Sequence, residues 1–104
     1  MAEWHLYIIR TANEAFYTGV TTDVARRFAE HQASGRLCAR SLRGRGPLTL
    51  VFSQAVGSRS RALSLEWHTK RLSRRKKEEL IRGERRLEDV GLSRSGPGEP
   101  VNNG

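Results

Sequence analysis

Trp4-His5-Leu6-Tyr7-Ile8-Ile9-Arg10 and, five residues on, Phe16-Tyr17-Thr18-Gly19-Val20-Thr21 are the two stretches that decide the fold. Both are rich in aromatic and β-branched residues, as half-buried strands are. Thr11-Ala12-Asn13-Glu14-Ala15 between them supplies turn residues, so the pair predicts an antiparallel hairpin. Strand side chains alternate, which puts Tyr17 and Gly19 on one face. With Tyr7 opposite Gly19, both phenols line a single surface, and the missing side chain at Gly19 leaves room for a phosphate or a water. A slip of one residue would separate the two phenols.

Outward from the hairpin, Asp23 predicts an N-cap for a helix running to about Ser34, with Gly35 as its C′ residue. Val24 and Phe28 share one face of that helix, Arg27 and His31 another. Residues 36–47 form a basic loop ending in Ser41-Leu42-Arg43-Gly44-Arg45-Gly46-Pro47. Leu48-Thr49-Leu50-Val51-Phe52 predicts a third strand that can continue to Val56. Ser58 caps a second helix, Arg59 to about Leu72, with Ala62, Leu65, Thr69 and Leu72 at core spacing. Ser73 caps a third, Arg74 to Arg82. Trp4 and Trp67 are expected in the core; exposed, either could stack a base. The order is ββαβαα: an α+β fold in which a small three-stranded antiparallel sheet is flanked by three helices. Residues 1–90 are expected to be one domain. Residues 91–104, with Pro97, Pro100 and four glycines, are expected to be a disordered tail.

A chain of 104 residues, 37% hydrophobic, suits one small domain. No run of eighteen apolar residues is present, which excludes a membrane-spanning helix, and the opening residues do not resemble a secretory signal. A lone Cys38 excludes a disulfide framework and fits a reducing, cytoplasmic compartment. Nineteen Lys and Arg against eleven Asp and Glu give a net charge of +8. The layout is more telling than the sum. From His31 to Lys77 there are twelve basic residues and a single acid, Glu66. A field this unbalanced calls for an anionic partner, of which a phosphate backbone is the commonest. Arg43, Arg45, Lys70, Arg74, Arg75, Lys76 and Lys77 are the candidates for gripping it.

Leu6-Tyr7-Ile8, the ten-residue step from Tyr7 to Tyr17, and Tyr17-Thr18-Gly19 together resemble the paired signature of the GIY-YIG nuclease superfamily. Arg27 lies ten residues past Tyr17, where that superfamily carries its catalytic arginine, with His31 a turn further. Glu66, on the second predicted helix, falls where the family carries a metal-binding glutamate. The resemblance spans residue 3 to about residue 82 and is closest to the short, single-domain bacterial branch. It implies a Mg²⁺- or Mn²⁺-dependent endonuclease that hydrolyses DNA phosphodiesters and serves DNA repair or processing. Structure-selective or single-strand cutting is expected, with another protein as a targeting partner. Tyr17 would be the general base, Tyr7 would orient water or phosphate, and His31 would touch a phosphate oxygen or relay a proton. Gly19 would sit against the substrate and Glu66 would hold the metal.

These residue types suit those tasks. The planar fork of arginine donates two parallel hydrogen bonds to a phosphate and stays charged. Mg²⁺ is commonly held by one or two carboxylates and keeps several waters. A free phenol titrates near pH 10, so a tyrosine base needs Arg27, the metal or hydrogen bonds to favour its phenolate. Departures from the family pattern are His5, Leu6 and Thr18 within the signature, Val20 where a lysine often follows it, and the lack of an Asn between Glu66 and residue 101 to match the polar residue some members carry after the glutamate. Arg27 is also placed to pair with Glu30, and Glu66 with Lys70 at i,i+4. Two rival readings follow: a nucleic-acid-binding module without efficient turnover, and an RNA- or ribosome-associated factor for which basic composition would suffice.

Overall fold

The computed structural model describes residues 2–90, so the tail expected over 91–104 lies outside the described residues. The described residues divide into two compact units, one running to Ala62 and the other beginning at Leu63. The first holds a three-stranded antiparallel sheet of β1 (Trp4–Arg10), β2 (Phe16–Thr21) and β3 (Thr49–Gly57), in the order β2-β1-β3. With α1 (Val24–Gln32), α2 (Arg59–Lys70) and α3 (Arg74–Ile81), the chain order is the expected ββαβαα.

The hairpin closes on Thr11, whose N–H donates to the Ala15 carbonyl at 2.8 Å and whose hydroxyl accepts from the Ala15 N–H at 3.0 Å. Glu14 takes the left-handed conformation (φ 67°) in this turn. The register is the one the phenols require: Tyr7 opposite Gly19 and Ile9 opposite Tyr17. Cross-strand partners share a face, so Tyr7, Ile9, Tyr17 and Gly19 look the same way. On that side Tyr7 and Ile9 form a core cluster with Cys38, Leu42 and Leu48, against which Tyr17, Val24, Phe28, Ala39 and Leu50 pack. Leu6 and Ile8, fully buried, occupy the other face of β1. Each such side chain contributes about 1.5–3 kcal/mol by leaving water.

Asp23 caps α1 as predicted, its carboxylate accepting from the Arg26 N–H at 3.1 Å. The end of α1 differs by one residue. Ala33 is the C-cap and Ser34, not Gly35, adopts positive φ (56°). The basic loop is also more than a solvated connection. Residues 40–42 make one turn of 3₁₀ helix, and Cys38 and Leu42 are buried in the core cluster.

Ser58 accepts from the Arg61 N–H at 3.1 Å to start α2, and Ser73 from the Lys76 N–H at 3.2 Å to start α3. Ala62, Leu65 and Thr69 are buried as their spacing predicted. Trp67 is not: it is 53% exposed, because position 67 falls on the helix face opposite that buried stripe. Trp4 is only partly buried and lies beneath the Arg59 guanidinium, 5.9 Å from its ring centre. In the second unit a short 3₁₀ turn, Leu87–Asp89, follows α3, and Leu80, Leu87 and Val90 are buried there. No helix among the described residues is long and apolar enough to cross a membrane.

Candidate active site

In the first unit β1, β2 and α1 bring four predicted residues together. The Tyr7 and Tyr17 ring centres are 6.3 Å apart, and that of His31 lies 5.9 Å from the first and 5.4 Å from the second. His31 is reached along the apolar face of α1, one turn beyond Val24 and Phe28, and is fully buried. The Tyr7 hydroxyl and His31 Nε2 are 2.9 Å apart, and His31 Nδ1 accepts from the Ala39 N–H at 3.3 Å. A backbone amide can only donate, so Nδ1 is unprotonated and the neutral ring carries its proton on Nε2. Nε2–H therefore donates to Tyr7, and the phenol's own proton is free for another acceptor.

Gly19 corrects one expectation. The space above it does not admit a phosphate or water, because the Tyr7 ring lies across it. A Cβ at Gly19 would sit 2.5 Å from the Tyr7 hydroxyl oxygen and 2.6 Å from Cζ, closer than packed atoms come. Gly19 thus acts on the site by letting β2 approach the Tyr7 ring.

Burial, then the neighbouring Tyr17 phenol, pushes the Tyr7 hydroxyl well above the ordinary tyrosine range, with the Arg27 charge pulling the other way. Arg27 is half-buried, and its Nη1 donates to Glu30 Oε1 at 3.0 Å and to the Leu37 carbonyl at 2.6 Å. Burial opposes its charge, but Glu30 and the two phenols outweigh that and hold the guanidinium protonated. The pair expected between Arg27 and Glu30 is therefore present and anchors one edge of the fork.

His31 is pushed below its ordinary value by burial and then by the Arg27 charge, with Glu30 opposing. A histidine whose folded pKa is depressed binds its proton more readily when unfolded. Its contribution to stability is present above the ordinary value of about 6.5 and lost as pH falls through the lower folded value. The midpoint of thermal unfolding is accordingly expected to fall between pH 8 and pH 5. His31→Gln should be less stable at pH 8 and should flatten that step. An equal fall in the variant would place the titration elsewhere.

The remaining candidates are spread over the two units. In the first, Arg43 and Arg45 are exposed, and Arg43 Nη2 donates to the Arg36 carbonyl at 3.2 Å. In the second, Glu66 pairs with Lys70 at 3.3 Å, Arg74 with Glu78 at 3.1 Å and Arg75 with Glu79 at 3.7 Å. Lys76 is exposed and Lys77 half-buried. Among the described residues no three His, Cys, Asp or Glu side chains gather as a metal cluster. Of the residues predicted for the site, Glu66 alone carries a hard carboxylate. It suits a hydrated Mg²⁺ or Mn²⁺, which needs few protein ligands, and not a closed zinc site. Sequence reasoning missed Ala39, whose amide sets the His31 tautomer; a backbone donor leaves no residue-type signal.

A family model described as the GIY-YIG catalytic domain matches residues 3–79. A UPF0213 protein of Cronobacter sakazakii is 56% identical over 84 residues, covering 81% of this chain and 86% of that protein. One from Yersinia pestis is 55% identical over the same span and coverage. A solution NMR structure of a UPF0213 protein from Bacillus halodurans is 36% identical, with a TM-score of 0.51, over 89% of this chain and 97% of the other.

Proposed function

This chain belongs to the GIY-YIG catalytic-domain family, among its UPF0213 members, and from that membership we propose a metal-dependent endonuclease that hydrolyses DNA phosphodiesters. The observation that carries this reading is the 2.9 Å bond between Tyr7 and His31. It fixes a buried phenol beside a second phenol and a charged arginine, on a rigid sheet face.

Each residue then has a task. Glu30 and the Leu37 carbonyl anchor Arg27, and its fork takes the phosphate oxygens and the charge that develops on them. His31 is buried with both ring nitrogens bonded within the chain, so its role is to position Tyr7 rather than to touch phosphate. Tyr7, kept protonated by burial, donates to the attacking water, a phosphate oxygen or the second phenol. Tyr17 is the less buried phenol and takes the proton of the attacking water. Glu66 would hold Mg²⁺ or Mn²⁺. Bound there, a divalent ion would supply positive charge for a phosphate and for the departing 3′ oxygen. Arg43 and Arg45 in the first unit, and Lys70, Arg74, Arg75, Lys76 and Lys77 in the second, would grip the backbone, which positions a strand without specifying its sequence. Cutting selective for single-stranded or branched DNA follows, as in repair or processing, with a protein partner for targeting.

The test is a cleavage panel of single-stranded, duplex, flap and four-way DNA with Mg²⁺, Mn²⁺ or EDTA, run beside matched RNA. Metal-dependent products from single-stranded or branched DNA are expected. Binding without any product would replace the enzyme by a binding module, and preferential binding to RNA would favour the RNA-associated factor.

A further inference from the structure

The nuclease reading leaves one feature of α2 unused. Trp67 is 53% exposed and Leu63, four residues before it, is 39% exposed. The helix buries Ala62, Leu65 and Thr69 on another face, so this indole is not spent on packing that side. Its ring is instead held by its neighbours. The Arg71 guanidinium lies 3.6 Å from the ring centre and donates to the Trp67 carbonyl at 3.3 Å, and the His68 ring meets the indole edge-on at 5.0 Å. From Trp67 to Lys77 the chain carries six cations and no acid. Lys70, Arg74 and Arg75 have carboxylate partners within their own helices, whereas Arg71 is directed at the indole.

We infer that Trp67, with Arg71 stacked on one face of its ring, is a stacking platform whose other face takes an unpaired base of single-stranded DNA. An exposed indole flanked by cations is the arrangement by which single strands are held without reading sequence: the ring takes a base face and the charges follow the backbone. A duplex offers no such face, since its bases are stacked on one another. A second copy of the chain is disfavoured as the occupant, because it would bring the same six cations against these. The inference rests on the nuclease reading and sharpens it, since it supplies the single-strand preference from a residue with no task in the proposed reaction.

The experiment is fluorescence anisotropy on the full chain in EDTA, so that no strand is cut. The probes are a labelled oligothymidylate and a strand of equal length with abasic sites throughout. Trp67→Ala should weaken oligothymidylate binding about tenfold and leave abasic binding nearly unchanged, and Trp67→Phe should recover most of the loss. Undiminished binding by Trp67→Ala overturns the inference, as does an equal loss on both probes. So does a dimer in sedimentation that Trp67→Ala dissolves, for then a second copy covers this face. If the wild-type chain binds neither probe, the nuclease reading falls with the inference. If it binds both and Trp67 is indifferent, only the inference falls.

Discussion

Glu66→Gln is expected to lower cleavage on the order of a thousandfold while leaving the fold and strand binding in place. The amide keeps the size and shape of the carboxylate but loses the charge that attracts a hard divalent cation. A divalent ion contributes several kcal/mol to the stabilisation of developing charge, and about 1.4 kcal/mol is a factor of ten in rate. Against that stands the bond the structure contains, Glu66 to Lys70 at 3.3 Å. An i,i+4 pair on a helix contributes about 0.3–0.5 kcal/mol, which moves the unfolding temperature slightly and cleavage hardly at all. The two roles therefore predict different readouts, and initial rates over a range of Mg²⁺ and Mn²⁺ separate them. A metal ligand gives a large loss of rate with an unchanged melting curve and unchanged binding in EDTA. Wild-type rates in Glu66→Gln would reduce Glu66 to the partner of Lys70.

What could be read from the residues follows from how local each constraint is. The hairpin register was legible because a slip of one residue would put Tyr7 and Tyr17 on opposite faces, and the pairing found sets Tyr7 opposite Gly19. Asp23, Ser58 and Ser73 announced their helices because a cap is a bond made within three residues. What escaped was set by distant packing. Cys38 and Leu42 lie in a stretch that reads as solvated by its arginines, yet they close the cluster under Tyr7. Ser34 takes the left-handed position that Gly35 was expected to hold, with its N–H on the His31 carbonyl at 3.1 Å. Gly19 was read as a gap because the direction of a ring is not written in a strand pattern. His31 was grouped with Arg27 on a face apart from Val24 and Phe28, although its spacing from Phe28 also allowed theirs. Trp67 was assigned to the core on residue type, against its own helical phase. At the site, identities were legible and contacts were not.

Tyr17→Phe is expected to reduce turnover about a hundredfold to ten-thousandfold, the range in which a general base acts, with little change in stability. Tyr7→Phe should show a different pattern. Its hydroxyl is buried and accepts from His31, so removal strands a buried ring N–H and costs about 1–3 kcal/mol of stability along with activity. The assignment of the base turns on this asymmetry. Tyr7 is the phenol that burial pushes up, so it holds its proton and keeps it available for a hydrogen bond. The bonds run in one direction, from the Ala39 N–H into His31 and from His31 into Tyr7. They leave the Tyr7 proton to be offered outward, where it would favour negative charge on whatever oxygen receives it. Tyr17, the phenol beside it and the more open to water, is the group that gains from that donation. Rate–pH profiles of the two variants, set beside their melting curves, decide the matter. If Tyr17→Phe keeps wild-type turnover while Tyr7→Phe loses it without losing stability, then the base is the buried phenol and the proton flow is the reverse of the one these bonds support.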